Sequence, residues 1–98
     1  MHWKRILKML DLIMTSQFKK DLKRIRKRGM DLSLLRNVLQ TLREEKLLEE
    51  KYRDYALTGD YAGFRECHIQ PDWLLIYAIS YGELILTASR TGSHSDLF

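Results

Sequence analysis

Cysteine, proline and long apolar stretches are scarce in this 98-residue sequence. Cys67 is the only cysteine, so no disulfide can form within the chain, which suits a reducing compartment. With one proline, Pro71, and no linker-like segment, we expect a single domain over residues 1–98. The longest apolar run, residues 73–79, is far shorter than the roughly 20 residues of a membrane-spanning helix. These absences predict a small cytoplasmic protein that does not enter a membrane.

Positive charge is concentrated in the first half of the sequence. Of the 17 lysines and arginines, 15 lie at or before Arg53, and the formal net charge is +4. A basic surface favours association with phosphate backbones, and it equally favours an acidic protein partner. Because charged helix faces are commonly just solvated, charge alone does not choose between these interpretations.

The first half of the sequence predicts a short strand followed by two helices. Apolar and polar residues alternate over residues 9–15, which indicates a strand, and Ser16 is a candidate helix cap. Residues 17–28 then form a strongly basic amphipathic helix that Gly29 ends. The apolar positions of this helix are Phe18, Leu22 and Ile25.

A second amphipathic helix is predicted from a cap at Asp31 to about Lys46. Its apolar residues recur at i, i+3, i+4 and i+7 and so form a stripe along one face, which we expect to pack against a sheet. They are Leu35, Val38, Leu39 and Leu42. Residues 51–62 are expected to form an irregular connection.

Three strands are predicted in the last third, at residues 63–69, 73–80 and 83–90. The middle strand is apolar on both faces, which is typical of a central strand. We therefore expect an α+β fold of the form βααβββ, with two helices packed on a four-stranded, mainly antiparallel sheet. A two-residue turn at positions 81 and 82 would place Ser80 opposite Glu83 and Trp73 opposite Arg90.

Strand counting predicts that four polar side chains meet at one edge of this sheet. The link between the first two of the three strands is short, so His68 ends one strand where Asp72 begins its neighbour. In an up-down-up meander, the end of the third strand lies at the same edge and adds Arg90. His94 follows Arg90 by four residues, so its imidazole stays near this edge.

These four residues have the chemistry needed to cut RNA without a metal ion. A base activates the ribose 2′-hydroxyl, a cation holds the phosphate and an acid protonates the departing 5′-oxygen; each acid or base contributes about 10² to 10⁴ in rate. We assign the general acid to His94 and phosphate binding to Arg90. Asp72 is favoured as the base and His68 as a phosphate or 2′-hydroxyl contact, although the sequence does not separate these two roles.

Other substrate-binding candidates are weaker. Arg65 is a second cation near the same strands, and Phe98 could stack on a nucleobase. Trp73 could also contact substrate, but packing in the core is the favoured interpretation for it.

A metal site is the competing interpretation of the same residues, since Cys67, His68, Asp72 and His94 are all possible zinc ligands. Adjacent strand residues point to opposite faces, so Cys67 and His68 should not reach one ion together. We therefore predict neither a metal nor a cofactor, with Cys67 buried by packing.

Two C-terminal strings carry a resemblance to a known family. The strings are RECHIQPDWLLIY, residues 65–77, and RTGSHSDLF, residues 90–98. Together with the two-helix front half, they closely resemble the YafQ-like branch of the RelE superfamily of bacterial toxins. The resemblance implies a ribosome-dependent endoribonuclease that cleaves mRNA in the ribosomal A site. It also implies a cognate antitoxin that neutralises the toxin and joins it in repressing their operator DNA.

The resemblance places six residues on the family's active-site pattern: His68, Asp72, Trp73, Arg90, His94 and Phe98. This chain differs from the family's active-site pattern at one position, where the family usually has a histidine and this chain has Tyr55. A tyrosine can donate a hydrogen bond to phosphate, but its reference pKa near 10 makes it a poor base at neutral pH. Residues 1–8 lie outside the resemblance and are a possible N-terminal extension, with Met9 as a candidate translation start.

Two other classes of function stay open at this point. One is a non-catalytic toxin of the same fold that binds a protein target such as DNA gyrase. The other is a basic nucleic-acid-binding module. A pure binder has no need of His68, Asp72 and His94 at one edge, and this favours the enzyme.

Overall fold

The computed structural model of the protein describes residues 9–98, and the predicted extension at residues 1–8 lies outside this range. The elements are β1 (Asp11–Met14), α1 (Ser16–Lys27), α2 (Leu32–Arg43), β2 (Tyr55–Ala56), β3 (Arg65–Gln70), β4 (Trp73–Ser80), β5 (Ile85–Gly92) and α3 (His94–Leu97). Short 3₁₀ turns at Glu50–Tyr52 and Gly59–Tyr61 flank β2. Within the described range, no helix has the length and apolarity needed to cross a membrane.

The strands form one sheet in the order β1-β5-β4-β3-β2. Strand β1 runs parallel to β5, and every other neighbouring pair is antiparallel. The predicted α+β architecture is confirmed, with β4 in the centre over the predicted residues 73–80. The count of four strands is wrong by one, because β2 pairs with the start of β3 inside the stretch expected to be irregular. A two-residue strand is too short to show a periodic pattern.

Side-chain caps set where the two long helices begin. Thr15 caps α1 rather than Ser16, since its Oγ1 accepts a hydrogen bond from the backbone N–H of Phe18 at 3.0 Å. Asp31 caps α2 as predicted, by accepting from the backbone N–H of Ser33 at 3.0 Å. Each such cap satisfies one backbone donor that the helix itself leaves unpaired.

Each of the two long helices ends where a residue adopts a positive φ angle, outside the right-handed helical region of backbone conformations. Gly29 ends α1 with a φ of +76°, as the sequence predicts. Helix α2 ends at Arg43, three residues before the predicted Lys46, because Glu45 adopts a φ of +57°. That conformation stops the helix although the residue is not a glycine, so the sequence gives little sign of it.

Helices α1 and α2 pack on one face of the sheet, which we call the helix face. Its fully buried side chains include Phe18 and Ile25 of α1, Leu75 and Tyr77 of β4, and Cys67 of β3. Burying each large apolar side chain stabilises the fold by roughly 1.5 to 3 kcal/mol.

The opposite face of the sheet, which we call the open face, carries a smaller cluster. Leu74 and Ile76 of β4 are fully buried there under Leu97 of α3. Tyr61 and Phe64 pack against the same cluster from the segment between β2 and β3. Helix α3 therefore lies on the open face, opposite the two long helices.

The β4–β5 register differs from the predicted one for two reasons. The connection is four residues long, since Ser80 pairs with Ile85. A bulge then shifts the ladder by one more residue, so that Arg90 pairs with Ile76 instead of Trp73. A one-residue shift turns side chains to the other face, and this bulge sets Arg90 opposite a residue of the open face.

Candidate active site

His94 and Asp72 form a closely bonded pair at the edge of the sheet. The imidazole Nδ1 of His94 lies 2.7 Å from Oδ1 of Asp72, and the backbone N–H of His94 donates to the same oxygen at 3.0 Å. Both side chains are more than half exposed. The backbone N–H of His94, and then its imidazole, hold the pKa of Asp72 below its ordinary value. The carboxylate therefore stays charged at neutral pH and fixes the orientation of the ring.

A tight local structure holds His94 in this position. Ser93 caps α3, and Asp96 completes a capping box by accepting from the backbone N–H of Ser93 at 2.8 Å. Arg28, the residue that follows the last residue of α1, binds both oxygens of Asp96 at 2.6 and 2.9 Å. Gly92 has a φ of +152°, and a Cβ at this residue would lie 2.8 Å from Oδ2 of Asp96. The turn that presents His94 therefore depends on a glycine and on a charge pair with Arg28.

His68 faces His94 from strand β3. The two ring centroids are 5.8 Å apart, and the planes are tilted by 59°. Nδ1 of His68 lies 3.3 Å from the carbonyl oxygen of Pro71. Because a carbonyl can only accept, this contact requires the hydrogen on Nδ1 and leaves Nε2 with a lone pair when the ring is neutral. His68, Asp72 and His94 thus meet at one edge, as strand counting predicts.

Arg90 lies opposite Ile76 in the β4–β5 ladder and forms its hydrogen bonds with α1. Its Nε and Nη2 donate to the two oxygens of Asp21 at 2.8 and 3.3 Å. Asp21 is fully buried, and 21% of the Arg90 side chain is exposed. Asp21, and to a smaller extent Tyr61, raises the pKa of Arg90 above its already high ordinary value. The guanidinium is therefore a permanent positive charge held in one place.

Phe98 presents an exposed ring beside the open-face cluster. It is 67% exposed and packs edge-on against Tyr61 at a centroid separation of 5.9 Å. Tyr61 also lies close to Arg90, which links the aromatic pair to the arginine. An exposed ring next to a fixed cation can stack on a base while the cation holds a phosphate.

Tyr55 uses its hydroxyl within the protein. It donates to Oε2 of Glu66, a residue that is almost fully buried on the neighbouring strand. Glu66 is the main cause of a raised pKa at Tyr55. Within the described residues, Oε1 of Glu66 is buried and has no hydrogen-bond partner. Tyr55 thus sits in the row of side chains next to His68, with its hydroxyl directed at Glu66 instead of at solvent.

The structure places two predicted substrate contacts elsewhere. Trp73 is only 1% exposed in the helix-face core, where its indole N–H donates to Thr91 at 2.9 Å, so it cannot stack on a nucleotide. Arg65 is three residues from His68 on the strand, points to the opposite face and pairs with Asp54 at 3.3 Å. The burial of Trp73 agrees with core packing, the interpretation that the sequence favoured, and the position of Arg65 does not support the predicted substrate contact.

Cys67 is fully buried on the helix face, as predicted from strand alternation. Burial, followed by the charges of Asp54 and Glu66, raises the pKa of its thiol to about 12. Residues 9–98 contain no group of three or more His, Cys, Asp or Glu side chains placed to hold a metal ion.

Sequence reasoning missed the residues that hold the candidate site together, namely Asp21, Asp96 and Glu66. Asp21 recurs with Phe18 and Ile25 at helical spacing and is buried with them, so its position on the apolar stripe was a usable signal. Glu66 precedes His68 by two residues and therefore shares its face of the strand. The role of Asp96 depends on a contact with Arg28 that no local pattern encodes.

Two facing histidines, one of them oriented by a carboxylate, are typical of acid-base sites that act on phosphate esters. The family model described as "Bacterial toxin of type II toxin-antitoxin system, YafQ" matches residues 10–98. The chain belongs to this family of bacterial toxins.

Individual relatives agree with this membership. The mRNA interferase toxin YafQ of Escherichia coli strain K12 is 36% identical over 89 residues, which cover 90% of this chain and 95% of the relative. The crystal structure of a metal-bound toxin from Helicobacter pylori matches with a TM-score of 0.87 and 47% identity, covering 92% of this chain and 100% of that one. An mRNA interferase is an endoribonuclease, so the predicted enzyme class is confirmed at the level of the family.

A YafQ toxin of Escherichia coli has also been solved together with its partner. The crystal structure of the Escherichia coli DinJ-YafQ toxin-antitoxin complex matches with a TM-score of 0.83 and 34% identity, over 92% of this chain and 98% of that one. The toxin of that complex is therefore bound to an antitoxin, which is the kind of partner that the sequence resemblance predicts.

Proposed function

We propose that the protein is a ribosome-dependent endoribonuclease that cleaves mRNA by acid-base attack of the ribose 2′-hydroxyl, without a metal ion. The observation that carries this proposal is the pair of facing imidazoles, His68 and His94, 5.8 Å apart, with His94 oriented by Asp72 at 2.7 Å. Two imidazoles at this spacing can act on opposite sides of one phosphodiester, one as base and the other as acid.

We assign the base to His68 and the acid to His94. His68 removes the proton of the 2′-hydroxyl through Nε2, the 2′-oxygen attacks phosphorus, and the bond from phosphorus to the 5′-oxygen breaks. His94 gives its Nε2 proton to the departing 5′-oxygen. The products are an RNA ending in a 2′,3′-cyclic phosphate and a second RNA with a free 5′-hydroxyl.

This assignment departs from the one favoured by the sequence, in which Asp72 is the base. Both hydrogen bonds from His94 end on the same oxygen of Asp72, and they lower the pKa of its carboxyl. A carboxylate with a lowered pKa accepts a proton poorly. Asp72 therefore acts by orienting His94 and by stabilising the charged imidazole, as the carboxylate does in other acid-histidine pairs.

Substrate binding falls to the cation and the aromatic side chains beside the histidines. Arg90 holds the scissile phosphate and compensates the charge that develops on it. Phe98, supported by Tyr61, stacks on a base of the mRNA. Tyr55 contributes indirectly, since its hydroxyl is engaged by Glu66.

The partners follow from the same proposal. The exposed face of α1 carries lysines and arginines that suit contact with ribosomal RNA. They are Lys19, Lys20, Lys23, Arg26 and Lys27. We further propose that a cognate antitoxin neutralises the protein, that the complex of the two binds operator DNA, and that the toxin acts in the cytoplasm.

The test is cleavage of mRNA on purified ribosomes, with 5′ ends mapped and the 3′ phosphate identified. Wild-type protein is expected to cut ribosome-bound mRNA in phase with codons and to cut free mRNA far more slowly. His94→Ala should reduce the rate by about 10² to 10⁴. Tyr81→Ala is the matched control, because this aromatic residue is exposed in the β4–β5 turn.

Each part of the proposal has its own contradicting result. An unchanged rate for His94→Ala would remove the acid assignment. Equal cleavage of free and ribosome-bound mRNA would reject the ribosome dependence. Loss of cleavage in a chelator that removes transition metals but leaves the Mg²⁺ of the ribosome in place would reject the metal-free mechanism. Growth arrest without any cleavage would instead favour a toxin of the same fold that only binds its target.

A further inference from the structure

One buried carboxylate on α1, Asp21, accepts hydrogen bonds from four different residues. Asp21 is 0% exposed, although the rest of its helix is dominated by exposed lysines and arginines. Its two oxygens accept from Arg90, Arg24, Gln17 and the backbone N–H of Thr91, at distances from 2.7 to 3.3 Å. Burying a charge is costly unless it is paired and hydrogen-bonded, and these donors provide that compensation.

We propose that Asp21 is a positioning residue that fixes the Arg90 guanidinium in the orientation required to bind the scissile phosphate. The inference rests on the proposed function and adds to it a residue that has no access to the substrate. Because Asp21 is fully buried, any effect it has on cleavage must pass through Arg90, through the strand that carries Arg90, or through Arg24, which binds Asp21 at 2.7 Å and lies 3.7 Å from Asp96. The double-mutant cycle described below separates the route through Arg90 from the other two.

The position of Asp21 follows from the short length of β1. Strand β1 stops at Met14, which pairs with Ala88, so the outer edge of β5 continues beyond it without a neighbouring strand. Helix α1 covers this edge, and Asp21 accepts the backbone N–H of Thr91 at 3.1 Å. A side chain thus takes the place of a strand at the point where β5 presents Arg90.

The contact with Arg90 restricts the guanidinium in two directions. Nε binds Oδ2 of Asp21 at 2.8 Å and Nη2 binds Oδ1 at 3.3 Å, so the planar group can neither turn nor withdraw. Both Nη1 hydrogens of a guanidinium in this two-point contact point away from the carboxylate. A phosphate can then bind on that side without the loss of rotamer freedom that a mobile arginine would incur.

The charge on Asp21 is maintained in spite of its burial. Burial raises the pKa of this carboxyl, but hydrogen bonds from Arg90, Thr91 and Gln17 together outweigh it and leave the pKa below its ordinary value. At neutral pH the residue is therefore an anion that faces donors on every side, and an amide in its place could not accept all of these bonds.

The experiment is a double-mutant cycle between Asp21→Asn and Arg90→Ala, measured as cleavage of ribosome-bound mRNA at saturating and subsaturating toxin. Asp21→Asn alone is expected to lower the rate by about 10- to 100-fold, because small displacements of a binding group have effects of this size. In the Arg90→Ala background the same change should alter the rate less than twofold. Val38→Ala, a core substitution on α2, controls for a general loss of stability.

A second measurement does not depend on cleavage. The Nε–H signal of Arg90 in nitrogen-15 NMR spectra should be resolved and slow to exchange in the wild type and in Val38→Ala. In Asp21→Asn it should broaden and move towards the signals of exposed arginines. If the wild type fails to cleave, the proposed function is rejected, while this signal still decides whether Asp21 holds Arg90.

Three results would overturn the inference. One is a rate for Asp21→Asn equal to that of Val38→Ala, another is an equal loss from Asp21→Asn with and without Arg90, and the third is an unchanged Arg90 signal. If Asp21→Asn does not fold, Arg90→Lys takes its place, since it keeps the charge but loses the two-point contact. Cleavage by Arg90→Lys within twofold of the wild type would then contradict the proposal.

Discussion

Two pairs of almost equal length, one joining a carboxylate to a histidine and one joining a carboxylate to an arginine, lie in opposite environments. Asp72 and His94 lie 2.7 Å apart with both side chains more than half exposed, whereas Asp21 and Arg90 lie 2.8 Å apart with the carboxylate fully buried. Water screens the first pair, so its contribution to stability is small, and His94 remains accessible to protons and substrate. The second pair is shielded, so it fixes a charge in place. Two pairs of similar length therefore have different roles. Asp72 orients a histidine that is accessible to protons, whereas Asp21 fixes the permanent charge of Arg90 in place.

The largest expected effect concerns the exposed histidine site. It distinguishes the catalytic base, His68, from the residue that orients His94, Asp72. His68→Ala should reduce cleavage of ribosome-bound mRNA by about 10² to 10⁴, since it removes the proposed base. Asp72→Ala should cause a smaller loss, because it leaves both imidazoles in place. A larger loss for Asp72→Ala than for His68→Ala in single-turnover cleavage would return the base to Asp72.

The buried pair should dominate stability. Asp21→Ala leaves Arg90 without its partner, and breaking a buried pair typically costs 3 to 5 kcal/mol; we expect roughly 3 kcal/mol because Arg90 keeps some exposure to solvent. Asp72→Ala should barely move the urea midpoint, because its pair is screened. Urea unfolding of the two variants measures the difference directly, and similar midpoints would remove the distinction between the two pairs.

Adding a single methyl group at Gly92 should disturb the turn that presents His94. Gly92→Ala places a Cβ 2.8 Å from Oδ2 of Asp96 at a φ of +152°, so both the backbone and the Asp96 contact must shift. We expect a loss of about 1 to 3 kcal/mol in unfolding free energy together with reduced cleavage. Ser95→Ala, on the exposed side of the same turn, is the control. A fully active and stable Gly92→Ala would show that the turn tolerates rearrangement.

The smallest effect is a dependence on pH. The pKa of Asp21 is lowered in the folded protein, so its pair contributes stability that is complete above the unfolded pKa, near 3.8, and declines as the pH falls. The difference in unfolding free energy between wild type and Asp21→Asn should therefore be constant from pH 7 to about 5 and shrink below pH 4. Urea unfolding across this range tests it, and a difference that grows towards low pH would contradict the assignment.

The periodic elements were predictable because their patterns are long. Strand β4 has the predicted bounds, and α1 ends within two residues of the predicted stop at Gly29. The β4–β5 register was not predictable, since Leu84 turns the chain with a φ of +58° although it is not a glycine. The two-residue strand β2 and the bulge that shifts Arg90 left no periodic signal either.

The same division applies to the candidate site. His68 and Asp72 are four residues apart across a tight turn, so a local pattern was enough to bring them together. Asp21 was overlooked because a charged residue on a basic helix is usually solvated, whereas here it lies on the apolar stripe beside Phe18 and Ile25. The hydroxyl of Tyr55 was expected to be available to phosphate, and only the pairing of β2 with β3 shows that it binds Glu66.

The amino-acid sequence by itself determined which side chains pack, where the main strands lie, and that two histidines and an aspartate share one sheet edge. These follow from periodicity and from short connections, which act over a few residues. Only the tertiary structure decided what holds Arg90, because Asp21 is 69 positions away and the contact depends on a bulge and on a strand that ends early. Contacts of that range are fixed by packing and register, and local sequence patterns do not encode either.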